Sequence, residues 1–195
     1  MKTEIRYKFL NGNESKHGEH KWRLNKWYKI DGDLEICVNG FHCSKYIPDA
    51  LCYVQGDTLA FVEVRGESII TDNKECWSEM RVIKRYKWKK EHSIKLAIFS
   101  ARLCLSAFEE VYPDDVRPRK AIEAAEICVE NPTEGNLQAA RSAAMSAMSA
   151  AWSAAWSAAM SARSAARSAA MSAMSAAWSA AKQKMHEYVL SLFEG

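Results

Sequence analysis

The chain has 195 residues, 48% of them hydrophobic, with 27 basic against 24 acidic side chains and a net charge of +3. Enough apolar residues for a buried core and a balanced charge exclude a disordered chain, and no run of about 18 uninterrupted apolar residues offers a membrane span. The opening Met1-Lys2-Thr3-Glu4 lacks a signal-like apolar stretch, so the expected compartment is the cytoplasm and the six cysteines read as reduced, mostly buried small residues.

Residues 1–92 read as a small α+β domain. Tyr7–Leu10 has strand composition and meets the turn Asn11-Gly12-Asn13; Trp22–Ile30 is a second β-type run, closed by Asp31-Gly32-Asp33. Tyr46–Tyr53, with Pro48 near its start, predicts one short helix. Leu59–Arg65 is the clearest strand, apolar on both faces and ended by Gly66, and Ser78–Ile83 alternates as a half-exposed one.

Residues 93–195 switch to helical signals and predict an all-helical domain. Ser93 can cap a helix whose apolar face runs Ile94, Ala97, Ile98, Ala101, Leu105 and Phe108, and Tyr112-Pro113 stops it. A second helix opens near Pro118 and ends at Asn131-Pro132, where Thr133 offers the next cap. Residues 139–181 then contain 21 Ala, 11 Ser and 11 larger side chains, and the 17 residues 139–155 recur identically as 165–181. The larger residues are spaced by 3 or 4, and Arg141, Trp152, Arg163 and Met174 recur every 11. This is the period of a nearly straight helix with one stripe of Trp, Met and Arg. As one rod, about 57 helical residues would span roughly 85 Å, far beyond the radius of gyration of about 16 Å for a compact chain this size. The segment is therefore expected to fold back or to self-associate, and a homo-oligomer is the expectation.

Val38-Asn39-Gly40-Phe41-His42-Cys43, then Pro48-Asp49-Ala50-Leu51, then Phe61–Glu67, resembles an uncharacterised domain of bacteriophage and prophage proteins with a GFHAC-type motif. The likeness covers roughly residues 5 to 88. Tyr112–Ala125, with Pro113-Asp114-Asp115 and Arg117-Pro118-Arg119, is similar to a helical immunity-protein family in which an Ala-rich region follows. Together these resemblances imply a phage or prophage setting and an anti-defence or immunity role in the bacterial host.

His42, with Glu63 or Glu67 expected nearby, is the one weak catalytic candidate, and the favoured reading is a structural histidine that fixes the Gly40 turn. No nucleophilic triad, phosphate-cradling glycine loop or paired carboxylates occur, so catalysis is not expected. His17 and His20 sit in a polar loop and the cysteines form no C-x-x-C pair, so neither a metal nor a cofactor is expected. Arg81, Lys84, Arg85, Lys87, Lys89 and Lys90, interleaved with Tyr86 and Trp88, form one basic aromatic cluster. It reads as a solvated strand end and linker rather than a nucleic-acid surface.

The preferred ligand candidates are Arg163 and Arg167, one turn apart, with Trp152, Trp156 and Trp178 on the same stripe, where arginine would bind phosphate and tryptophan would stack. The favoured reading is that these arginines snorkel, or pair with Glu123, Glu126 or Glu130 across the helical bundle. The functional expectation is a non-enzymatic inhibitor of a bacterial toxin or defence component, acting on a protein surface or by sequestering a small anionic nucleotide. A nucleotide-directed enzyme built on His42 and a purely structural oligomerisation protein are the two alternatives.

Overall fold

A computed structural model describes residues 3–18, 20–54, 56–140, 142 and 167–193, and the side chains of 167–176 are not included in the description. The fold is α+β: an N-terminal antiparallel sheet followed by helices. The chain divides into two compact units, Met1–Lys89 with Val189–Gly195, and Lys90–Tyr188.

The first unit is built on β1 (Glu4–Leu10), β2 (Tyr28–Lys29), β3 (Phe41–Cys43), helix α1 (Ile47–Tyr53), β4 (Thr58–Ile70) and β5 (Glu75–Lys87). The strand order is β1-β4-β5-β2, with β3 also pairing β5, and every named pairing is antiparallel. Tyr7 of β1 and Ser44, just past β3, exchange both backbone hydrogen bonds at 2.9 Å. The circuit β1, β4, β5, β3 thus closes on itself, leaving few open edges.

Alternation along the strands gives this ring two faces. Opposite pairs such as Lys8 with Ala60 and Arg6 with Val62 fall on the inner face, and Tyr7 with Phe61 on the outer. The inner face holds a core of Leu10, Trp22, Cys43, Ala60, Val62, Val64, Trp77, Met80 and Val82, against which Tyr28 and Phe41 pack. On the outer face, Tyr7 meets Phe61 edge-on at 5.1 Å, Phe9 meets Trp88 at 5.1 Å, and Phe193 from the C-terminal stretch lies 4.8 Å from Tyr86.

Three sequence expectations change here. Gly66 does not end its strand: it takes φ +86° and makes a bulge, with a register shift between Arg65 and Ser68, and β4 continues to Ile70. The basic stretch from Arg81 to Lys87 is not linker but the continuation of β5. Of Trp22–Ile30, only Tyr28–Lys29 is strand, because Asn25 turns left-handed at φ 59° and spends its N–H on the Val82 carbonyl at 2.8 Å. Helix α1 spans nearly the predicted residues, with Pro48 in its first turn where a missing N–H costs nothing.

In the second unit, α2 (Lys90–Val111) and α3 (Arg117–Glu130) form an antiparallel hairpin. Two ion pairs cross it, Arg102 with Glu126 and Arg119 with Glu109, the latter with Nε 2.8 Å from Oε1. Residues 134–140 are helical again, opened by Thr133, whose Oγ1 accepts the Asn136 N–H at 3.2 Å. Helix α4 (Arg167–Ser191) packs on α2: Tyr188 stacks on Phe99 with centroids 4.2 Å apart, and the Ser100 hydroxyl donates to the Met185 sulfur at 2.8 Å. No helix among the described residues is long and apolar enough to cross a membrane.

Candidate functional site

A cleft of about 680 Å³ lies beside β1 and β3 in the first unit. Its lining gathers Lys8, Lys16 and Lys74, the three histidines His17, His20 and His42, and the aromatic Trp22, Phe41 and Tyr53. No aspartate or glutamate is among its described lining residues.

Each basic group reaches the cleft from a different element. Lys8 stands on the inner face of β1, and its Nζ donates to the His42 carbonyl at 2.9 Å and lies 6.0 Å from the Trp22 ring centre. Burial pushes its pKa down. Lys74 sits in the turn between β4 and β5, where the Thr71 N–H bonds the Lys74 carbonyl at 2.9 Å. That turn is pinned by Ser44, whose Oγ donates to the Asn73 carbonyl at 2.9 Å, and by the Tyr53 hydroxyl, which donates to Asn73 Oδ1 at 2.5 Å. The Lys74 ammonium then lies 3.0 Å from the Cys37 sulfur and 5.2 Å from the Tyr53 ring centre.

His42 links the two lysines. Its Nε2 accepts the backbone N–H of Cys37 at 3.0 Å, holding a loop in which Cys37 itself has φ 65°. Burial first, and then the charges of Lys8 and Lys74, lower the His42 pKa from 6.5 to about 4. The ring is therefore neutral at pH 7, and a ring accepting at Nε2 carries its proton on Nδ1. Gly40, at φ 152°, is required beside it, since a Cβ there would meet the Cys76 sulfur at 2.2 Å and Leu34 Cδ1 at 2.7 Å.

On the other side of Lys8, His20 sits among aromatic rings, 4.5 Å from both Trp22 and Tyr28 and 5.7 Å from Phe41. Its Nε2 is buried with no hydrogen-bond partner among the described residues. Burial, Lys8 and Lys26 all lower its pKa.

The imidazole is engaged within the wall. The His42 Nε2 lone pair is held by a backbone N–H, and it is the Cys37 N–H, not the thiol, that meets the imidazole, so no thiol–imidazole dyad is assembled. The carboxylates expected near His42 lie elsewhere: Glu63 pairs with Arg81 at 2.6 Å, and the Glu67 backbone N–H bonds Ser78 Oγ at the bulge; neither lines the cleft. No group of three His, Cys, Asp or Glu that could hold a metal ion occurs among the described residues.

Cys43, Cys76 and Cys128 are buried free thiols, but Cys37, Cys52 and Cys104 are exposed, against the expectation that most would be buried. Two members of the basic aromatic cluster on β5 are engaged: Lys87 pairs with Asp57 at 2.5 Å, and Arg81 clasps Trp27 together with Arg65, at 4.9 and 4.0 Å from its ring centre. Of the helical ligand candidates, Trp178 is exposed on α4, and Arg167 opens that helix. Arg163, Trp152 and Trp156 lie outside the described residues, as does the Arg167 side chain; Glu126, one of the expected arginine partners, is taken by Arg102. The cleft residues Lys8, Lys74, His20 and Cys37 were not singled out as ligand contacts by sequence reasoning; the only local signal is a lysine on the same strand face as Leu10.

The protein is thus of the α+β class, with a cleft in its sheet unit whose described lining is basic and aromatic. A family model described as a domain of unknown function, DUF7666, matches residues 5–93, from the second residue of β1 into the start of α2. No curated protein and no solved structure matches the chain.

Proposed function

We propose that this protein acts by capture rather than catalysis, holding a small anionic, nucleotide-like molecule in the cleft of its first unit. The observation that carries this reading is the composition of the cleft: two lysines flanking a neutral histidine, aromatic rings alongside, and no described carboxylate to oppose an anion. A volume of about 680 Å³ lies in the range of roughly 300–1,000 Å³ usual for small-molecule sites. In the phage or prophage setting that the GFHAC-type resemblance implies, capture in the host cytoplasm would withdraw a signal from a toxin or defence system. The Ala/Ser-rich repeat would serve self-association.

Native mass spectrometry of the purified full chain, before and after incubation with a bacterial nucleotide extract, tests this. A discrete retained mass on a defined oligomer is the expected result. A defined oligomer retaining nothing would sink small-molecule capture and leave blockade of a protein surface. A monomer would overturn the self-association role of the repeat.

A further inference from the structure

We infer that the end of the cleft between Lys8 and Lys74 is a subsite for a phosphate monoester, and that the ligand is of the nucleoside monophosphate class, its base lying toward His20 and Phe41. This rests on the capture reading and specifies it.

Charge decides the ionic group. In the same unit Arg6, Arg65, Arg81 and Lys87 each hold a carboxylate, Arg6 with Glu75 and Glu4, Arg65 with Glu79, Arg81 with Glu63 and Lys87 with Asp57. Lys8 and Lys74 have no carboxylate within ion-pair distance among the described residues; a carbonyl, a sulfur and aromatic faces are their neighbours. Lys8 Nζ donates to the His42 carbonyl, and Lys74 Nζ lies on the sulfur of Cys37, whose backbone N–H bonds the His42 ring, so both ammonium groups flank the same stretch of wall. Two uncompensated cations match a dianion, which a phosphate monoester supplies at neutral pH and a phosphodiester or a single carboxylate does not. Desolvation works against the Lys8 charge, and a phosphate oxygen beside it offsets that cost.

Shape agrees. A smaller hollow of about 50 Å³ shares Lys8, His42, Tyr53 and Lys74 with the cleft and adds Ser44. It has room for more than one water-sized group, enough to admit phosphate oxygens.

The other end suits a planar ring. Lys8 Nζ lies between the His42 carbonyl at 2.9 Å and the Trp22 ring at 6.0 Å, with His20 4.5 Å from that ring, while Lys74 lies against Cys37 and Tyr53, which places His20 on the Trp22 side of Lys8. His20, with a buried and unpartnered Nε2 beside Phe41 and Trp22, offers one directed hydrogen bond next to apolar ring edges. A nucleobase presents that combination of planar face and polar rim.

Isothermal titration of the full chain with AMP, adenosine, cyclic AMP and inorganic phosphate tests the assignment, with circular dichroism confirming the fold of each variant. AMP is expected to bind, with adenosine and cyclic AMP weaker by about tenfold or more, the worth of a charge-assisted contact. Lys74→Gln, on a turn rather than in the core, is expected to weaken AMP by a similar factor and leave adenosine unchanged. Inorganic phosphate alone should bind more weakly than AMP, since it leaves the ring seat empty. Equal affinity for AMP and adenosine, phosphate binding as tightly as AMP, unchanged AMP affinity in folded Lys74→Gln, or no heat with any probe would each overturn the assignment. Native mass spectrometry separates the two levels: a retained anion that is not a phosphate monoester overturns the subsite and keeps capture, whereas no retained mass removes both.

Discussion

Tyr7 and Ser44 exchange both of their backbone hydrogen bonds, although one opens the sheet and the other follows its third strand. That pair holds the end of β3 against β1 and so carries the His42 carbonyl to the Lys8 ammonium. It also sets Ser44 beneath the Asn73 carbonyl, which fixes the turn that presents Lys74. The cleft is therefore a product of ring closure. Perturbations of the ring and of the cleft wall give the outcomes below.

His42 makes stability depend on pH. Its folded pKa of about 4 lies below the ordinary 6.5, because burial first, and then Lys8 and Lys74, disfavour the charged ring. The unfolded chain binds that proton more readily, so the site's contribution is complete above about pH 6.5 and is lost as pH falls from there toward 4. His20 and His186 are shifted in the same direction. Thermal melts between about pH 7.5 and 4.5 should show falling Tm with acid. His42→Gln, which keeps an acceptor for the Cys37 N–H but cannot titrate, should flatten part of that slope. An unchanged slope in the variant would remove His42 from this role.

Gly40→Ala places a methyl group where the Cys76 sulfur and Leu34 already stand, at 2.2 and 2.7 Å, on a backbone of φ 152°. Overpacking and strain together should cost about 2–3 kcal/mol. Urea unfolding measures it, and a loss below about 0.5 kcal/mol would mean the loop has another conformation open to it.

Glu75 is the acceptor of a buried pair of bonds, from Arg6 Nε at 2.6 Å and Trp77 Nε1 at 2.7 Å, and its side chain is only 5% exposed. Glu75→Ala should destabilise the protein by about 3 kcal/mol, since it leaves the Trp77 and Arg6 Nε donors without their acceptor, with only Glu4 and the Ile5 carbonyl left to partner Arg6. Glu75→Gln retains an acceptor and should cost less. Equal losses for the two variants would argue that packing, not the bonds, is what matters there.

Alkylation should sort the cysteines. Cys37, Cys52 and Cys104 are exposed and should label in the native state, while Cys43, Cys76 and Cys128 should wait for unfolding. Burial also raises the pKa values of Cys43 and Cys76, which keeps them as thiols. Because Cys37 lies on the cleft wall and Cys52 and Cys104 do not, a bound nucleotide should slow Cys37 alone. Peptide mass mapping reads the rates, and uniform protection or none would count against binding in the cleft.

What the amino-acid sequence determines by itself here is what short-range physics controls. Gly12, at φ 60°, turns the chain after Leu10; Pro48 starts a short helix; Pro118 starts a longer one that stops before Pro132. Propensity, fixed φ and missing N–H groups act within a few residues, and the order of strands and helices follows from them. Tertiary structure decided the rest. That β4 passes through Gly66 depends on its partner β5, which tolerates a bulge between Arg65 and Ser68. That Lys8 is more than a strand lysine depends on the His42 carbonyl brought over it by the Tyr7–Ser44 pair. Lys74 and Cys37 meet at 3.0 Å only because a hairpin turn and a left-handed loop converge on one histidine. Such contacts join distant stretches through sheet register, and local composition carries no record of register between strands so far apart.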